Sequence, residues 1–222
     1  MSKRVLVSGG AGFIGSHTCV ELIRSHVTVE LIQAGYDVVV ADDMSNCDMT
    51  CFEGVKKITG REDIPFIKMD FCDLEAVNKL FSEFQIDAVI HFAAFKAVGE
   101  SVAEPVKYYT NNLSSFLNVI EAARTHGGCN VLFSSSATVY GEPDKLPVTE
   151  ESATSPYGNT KQICEDILRD SVKAYARYGT EVTPGVHKEG CIKGIALRYF
   201  NPIGAHPSAL IGELPRGVPN NL

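Results

Sequence analysis

The chain has 222 residues, 45% of them hydrophobic, enough for one large domain or for one domain and part of another. Its net charge of −7 speaks against nucleic acid or an anionic membrane as a main partner. No apolar run is long enough to cross a bilayer, a strand starts too near Met1 for a signal peptide, and the seven scattered cysteines read as reduced thiols, so a cytoplasmic protein without a metal site is expected.

Apolar runs alternate with helical stretches along the chain. Arg4–Ser8 predicts a first strand, followed by a helix, and Tyr36–Ala41 predicts a second strand. Pro65–Met69 predicts a third, then a helix from about Asp73 to Phe84, then a fourth strand at Ala88–Phe92. A long helix at 105–126 precedes a fifth strand at Val131–Ser134. Another long helix, about 155–178, precedes a sixth strand at Ile195–Arg198. The strands are continuous apolar runs rather than strict alternations, as expected when both faces of a sheet are covered. The expected fold is therefore α/β, a doubly wound parallel sheet with helices on both sides. Thr180–Lys193 looks like a surface excursion. From Pro202 onward there are four prolines and no helical period, which suggests a substrate loop or the start of a further domain.

Gly9, Gly10, Gly12 and Gly15 form a GxxGxxG turn that follows a strand and opens a helix. In that context the glycines allow a tight turn and close approach of a pyrophosphate, and the helix N-terminus offers free N–H groups. A dinucleotide site also needs a carboxylate at the end of the second strand, for a ribose hydroxyl. Asp42 stands there, 27 residues beyond Gly15. The interval contains a near-repeat, SHTCVELIR followed by SHVTVELIQ over Ser16–Gln33. Setting aside those nine extra residues leaves 18, close to the usual spacing of about 20. Nine residues at about 100° each put the two copies half a turn out of phase on one helix. The repeat thus reads as an insertion, and an overhanging helix or a break near 24–28 is expected. Asp42 would repel a 2′-phosphate, which favours NAD over NADP.

A second constellation is Ser136, Tyr157 and Lys161. Ser136 closes a serine cluster at the end of the fifth strand, and Tyr157 and Lys161 are four residues apart on the following helix, hence on one face. An ordinary tyrosine has a pKa of about 10, so work as a base near neutral pH needs a neighbouring cation. The plain alternative is an exposed Tyr and Lys on a helix.

Together GGAGFIGSH, HFAAFKAVGES, FSSSATVYG, SPYGNTK, LRYFNPIGAHPS and GVPNNL resemble the UDP-glucose (UDP-galactose) 4-epimerases, extended short-chain dehydrogenases/reductases with a Rossmann-type sheet. The resemblance covers nearly the whole chain. It implies an NAD-dependent isomerase of galactose metabolism acting on UDP-glucose and UDP-galactose, with Tyr157 as base at the sugar 4-OH, Lys161 lowering its pKa and binding the nicotinamide ribose, and Ser136 bonding the 4-oxygen. It implies cofactor contacts at Gly9, Gly12, Phe13, Ile14, Gly15, Asp42, Asp43, Asn46, Asp70, Phe71, Phe92, Ala93, Lys96, Asn111, Tyr157, Lys161, Tyr199 and Phe200. Substrate contacts fall on Lys96, Ser136, Tyr157, Asn201, Asn220, Asn221 and Leu222. Homodimers are common in the family, so a homodimer is expected. The related 4,6-dehydratases place Asp and Glu after the catalytic Ser/Thr, where this chain has Ala137 and Thr138, which excludes that chemistry.

The chain departs from the family pattern in the repeat, in a longer Thr180–Lys193 excursion, and in a shorter link from Ser136 to Tyr157 that is expected to shift Tyr157. It also stops at Leu222, where the family continues through most of a small substrate domain. The expected division is an NAD-binding domain over 1–201 and only the beginning of the substrate domain over 202–222. The alternative reading is a truncated NAD-binding remnant or regulator without turnover.

Overall fold

The computed structural model describes residues 3–24, 36–141, 153–175 and 190–213. The chain divides into two compact units, one of Met1–Asp70, Gln85–Ala93 and Asn201–Leu222, the other of Phe71–Phe84 and Ala94–Phe200.

The first unit carries strands β1 (Lys3–Ser8), β2 (Tyr36–Asp42), β3 (Phe66–Lys68) and β4 (Ala88–His91), with helices α1 (Phe13–Arg24) and α2 (Met49–Thr59). Its strands lie in the order β3-β2-β1-β4, all parallel. The order steps outward from β1 to β3 and then returns to the other side of β1. That reversal opens a crevice at the carboxyl ends of β1 and β4, the usual ligand position in a doubly wound sheet. Leu6, Val7, Val39 and Val40 are buried, as continuous apolar strands covered on both faces require. Val5, Val7, Val38 and Val40 of the strands pack with Cys19, Val20 and Ile23 of α1 and with Phe52 and Val55 of α2.

Helix α2 was not among the predicted elements. Its start is capped by Asp48, whose carboxylate accepts from Thr50 N, and Gly60 ends it in a left-handed conformation. At Gly54 the helix lets the stretch after Asn201 lie against it. A Cβ there would run into Leu210 O and come within 2.8 Å of Ile211 Cγ2, and Ile211 is buried in this unit's core. Of the repeat, Ser16–Arg24 lies in α1, with Ser16, Cys19, Val20 and Ile23 turned inward. Its second copy, and with it the expected break or overhang, lies outside the described residues.

The second unit holds α3 (Leu74–Glu83), α4 (Val98–Ala103), α5 (Pro105–Thr125), β5 (Asn130–Ser136), a 3-10 turn at Ala137–Tyr140, α6 (Pro156–Tyr175) and β6 (Lys193–Tyr199). Strands β5 and β6 are parallel, in register from Asn130↔Lys193 to Ser136↔Tyr199. Every strand pair described in either unit is therefore parallel, as the helix between successive strands demands. Helices α5 and α6 pack on one another. Tyr108, Phe116 and Val119 of α5 are buried in this unit with Phe133 of β5 and with Cys164 and Leu168 of α6, and the rings of Phe116 and Phe133 lie 4.6 Å apart. Pro105 opens α5 directly after α4, its missing N–H costing nothing at a helix start. All seven cysteines are free thiols. Among the described residues no helix is long and apolar enough to cross a membrane.

Candidate active site

In the first unit the glycine turn is built by close backbone contact. Gly9 has φ +70°, and a Cβ there would sit 2.8 Å from Ala93 N. A Cβ on Gly15 would overlap Gly9 O and lie 2.7 Å from Gly10 Cα. The fold itself thus requires glycine at both positions. Gly12 differs, because among the described residues a Cβ there would meet only Gly9 O, at 3.3 Å. What Gly12 leaves open is space beside the turn, with the amides of Phe13, Ile14 and Gly15 at the start of α1 lacking acceptors within the helix. Such a cradle suits a pyrophosphate.

Asp42 closes β2 and is buried. Its Oδ2 accepts from Ala11 N at 3.1 Å, tying the strand end to the glycine turn. Oδ1 accepts from Met44 N at 2.9 Å and from Cys47 Sγ at 3.3 Å. With two lone pairs per carboxylate oxygen, Oδ2 retains one for a ribose hydroxyl. Asp43 and Asn46 are exposed in the loop that follows, and Asp43 Oδ1 accepts from both the N–H (2.8 Å) and the hydroxyl (2.7 Å) of Ser45. Asp70 is exposed just past β3, and Phe92 and Ala93 are half-buried just past β4. Beneath them the buried Ser8 Oγ and His91 Nδ1 lie 2.8 Å apart, joining the ends of β1 and β4. Asn201 is exposed, and Asn220, Asn221 and Leu222 lie outside the described residues.

In the second unit Ser136 ends β5 and caps the 3-10 turn, accepting from Thr138 N at 3.2 Å. Tyr157 is one residue into α6, and its phenol is hydrogen-bonded to Ser136. The shorter link between them has not displaced Tyr157 from Ser136. Gly158 is one reason, since a Cβ there would come within 2.8 Å of Thr138 O and hold α6 away from the 3-10 turn. Lys161 is almost fully buried one turn later. Its Nζ donates to Ser134 O at 2.8 Å and lies 4.9 Å from the Phe133 ring centroid and 5.8 Å from that of Tyr157. Burial pushes the Lys161 ammonium down to about 8, against an opposing pull from Cys164. Burial also raises the Tyr157 phenol above its ordinary range, partly offset by the Ser136 bond. The Lys161 ammonium is itself desolvated and directed at Ser134 O, and desolvation is the larger influence on the phenol.

Phe71 is buried, Asn111 and Tyr199 are half-buried, and Lys96 and Phe200 are exposed. The backbone on both sides of Lys96 is held. Asn112 binds Phe95 through N (2.9 Å) and O (3.1 Å), and Ala97 N donates to Tyr108 Oη at 3.1 Å. The sequence reading did not single out Asn112, Tyr108, Ser101 or the Glu165–Arg198 pair. Glu165 follows Lys161 by one turn and binds Arg198 in a fork at 2.9 and 2.7 Å while accepting from the Ser135 hydroxyl. Burial alone would raise its carboxyl, but the bonds from Arg198 and Ser135 hold it below the ordinary range. The pair ties β5, β6 and α6 together beside Ser136. The signal that could have found it is a Glu four residues after Lys161 on a helix whose exposed face would otherwise carry it.

Residues 5–218 match the sequence profile of the NAD dependent epimerase/dehydratase family. The chain belongs to this family. It is 49% identical over 98% of its length to the UDP-glucose 4-epimerase of Bacillus subtilis, and 46% identical over its whole length to UDP-glucose 4-epimerase 2 of Arabidopsis thaliana. It spans 58% of the length of each of these relatives. The solved UDP-glucose 4-epimerase of Bifidobacterium longum, in complex with NAD+ and UDP, is 43% identical with a TM-score of 0.84, covering 99% of this chain and 60% of that one. The Rossmann-type α/β fold of this family is thus the fold of this chain.

Proposed function

We propose that this chain binds NAD and serves the interconversion of UDP-glucose and UDP-galactose through transient oxidation at the sugar C4. The observation that carries this reading is the half-buried Ser136 bonded to the buried Tyr157, with buried Lys161 one turn on, in a chain whose glycine turn leaves a cradle at Gly12. Gly9, Gly12 and Gly15 with Phe13 and Ile14 would receive the pyrophosphate, and the spare lone pair of Asp42 would take a ribose hydroxyl. Asp43, Asn46, Asp70, Phe71, Phe92, Ala93, Lys96, Asn111, Tyr199 and Phe200 would complete the cofactor's surroundings. When bound, NAD+ supplies a reversible two-electron acceptor and a positive charge.

The rest of the chemistry belongs to the chain. Tyr157 removes the proton from the 4-oxygen as C4 is oxidised and returns it afterwards, as general base and then general acid. Ser136, already bonded to the phenol, holds the 4-oxygen in line with it. Lys161 is poised to change charge near neutral pH, because burial has brought it to about 8. It orients Tyr157 through the shared helix face and offers hydrogen bonds to a ribose. Lys96 and Asn201 would contact the sugar nucleotide. A second copy of the chain is the partner that suits the apolar side chains left exposed on α4, α5 and α6, among them Val102, Val106, Leu117 and Ile163.

The test compares the parent chain with Tyr157→Phe. Both should take up NAD, and only the parent should convert UDP-galactose in a coupled assay. Equal conversion by the two would remove Tyr157 from the chemistry.

A further inference from the structure

Helix α6 begins at Pro156, so the first amides of its opening turn lack partners within the helix. Two hydroxyls supply them. Ser155 Oγ accepts from Gly158 N at 3.1 Å, an ordinary cap from the residue just before the helix. The amide of Tyr157 goes elsewhere and donates to Ser101 Oγ, 56 positions away, at 3.1 Å. Ser101 lies on α4, is fully buried, and donates its own proton to Val98 O at 2.6 Å. Its hydroxyl is therefore oriented, with its lone pairs left for the Tyr157 amide.

Helix α4 starts directly after Lys96 and Ala97, and Ala97 N is anchored on Tyr108 Oη. The same phenol donates to Glu100 Oε2 at 2.8 Å, and Glu100 Oε1 is bound by Lys107 at 2.6 Å. At its other end α4 runs into Pro105 and α5 without a loop. The six-residue helix is thus fixed at both ends and reaches the tyrosine backbone through one hydrogen bond.

We propose that Ser101 is a positioning residue, which through its bond to the Tyr157 amide holds the phenol on Ser136. This rests on the reading of Tyr157 as the base. Among the described residues, Ser136 bonds the phenol, Lys161 Nζ lies 5.8 Å from its ring centroid, and the Tyr108 phenol feels its charge. Losing the Ser101 bond lets the start of α6 move and weakens the Ser136 bond, which favours the phenolate.

The experiment uses Ser101→Ala and Ser101→Cys in the full chain. Phenol ionisation is followed by ultraviolet difference absorbance against Tyr157→Phe, which needs no turnover, beside NAD affinity and the kcat and KM for UDP-galactose. Ser101→Ala should move the Tyr157 midpoint to higher pH and lower kcat by about tenfold, the loss expected for one mispositioned hydrogen bond, with NAD affinity and KM unchanged. Ser101→Cys, similar in size but a weaker acceptor, should show a smaller shift in the same direction, and it carries the test if the alanine variant does not fold. An unchanged Tyr157 midpoint in a folded variant overturns the proposal, even where turnover depends on Tyr157. A shifted midpoint in a chain without turnover leaves the positioning role standing and removes the catalytic reading instead.

Discussion

Gly12 and Gly15 look alike in sequence, yet the structure separates their duties. In Gly15→Ala the added Cβ meets backbone atoms, Gly9 O and Gly10 Cα, the latter at 2.7 Å. Backbone at a turn between a strand and a helix cannot step aside as a side chain can. Overpacking of this kind costs about 1–3 kcal/mol, and the upper end applies where the obstacle is main chain. In Gly12→Ala the sole close atom among the described residues is Gly9 O at 3.3 Å, relieved by a shift of a few tenths of an ångström. Gly12 is also not among the positive-φ glycines, so alanine is conformationally acceptable there. Its stability should stay within about 1 kcal/mol of the parent, in either direction. NAD affinity should fall at least about tenfold in both variants, equivalent to about 1.4 kcal/mol, since both reshape or fill the cradle. Urea denaturation gives the stabilities and titration calorimetry the affinities. A Gly12→Ala protein that binds NAD like the parent would refute the assignment of that space to the cofactor.

The buried Lys161 gives a pH signature. Its folded pKa of about 8 lies below the ordinary lysine value of 10.5. Between the two the unfolded chain binds more protons, so stability rises with pH over that window and the penalty is fully present below about pH 8. Lys161→Met should therefore stabilise the chain by about 1–2 kcal/mol near pH 7, after allowance for the lost bond to Ser134 O, with the advantage shrinking toward pH 10. Urea melts at several pH values check this, and a constant difference would contradict it. Deleting Ser25–Gln33, which joins Arg24 to Ala34, should keep or raise both stability and NAD affinity; a clear loss of both would show that the second copy of the repeat is used.

The strands were legible because a buried parallel sheet is built from uninterrupted apolar runs such as Val38–Ala41, which also set their approximate ends. The glycine turn and Asp42 could be paired once the repeat was set aside, since both belong to one local strand-turn-helix unit. Helix α2 was missed although Asp48 and Gly60 bracket it with ordinary cap chemistry, because its apolar residues Phe52, Val55 and Ile58 are few. Helix α4 has only six residues, too few for any period to show. Ser101, Asn112 and the Glu165–Arg198 pair act on partners 56, 17 and 33 positions away, and no local pattern announces such a contact. The raised phenol of Tyr157 was equally hidden. Sequence spacing puts Lys161 on its helix face but does not reveal the burial that raises the phenol.

The most direct test of the central claim is proton magnetic resonance of UDP-galactose incubated with the chain and NAD+. The account predicts growth of UDP-glucose signals to the same final ratio reached when starting from UDP-glucose, and their absence with Tyr157→Phe. Tight NAD binding with no interconversion from either side would contradict it.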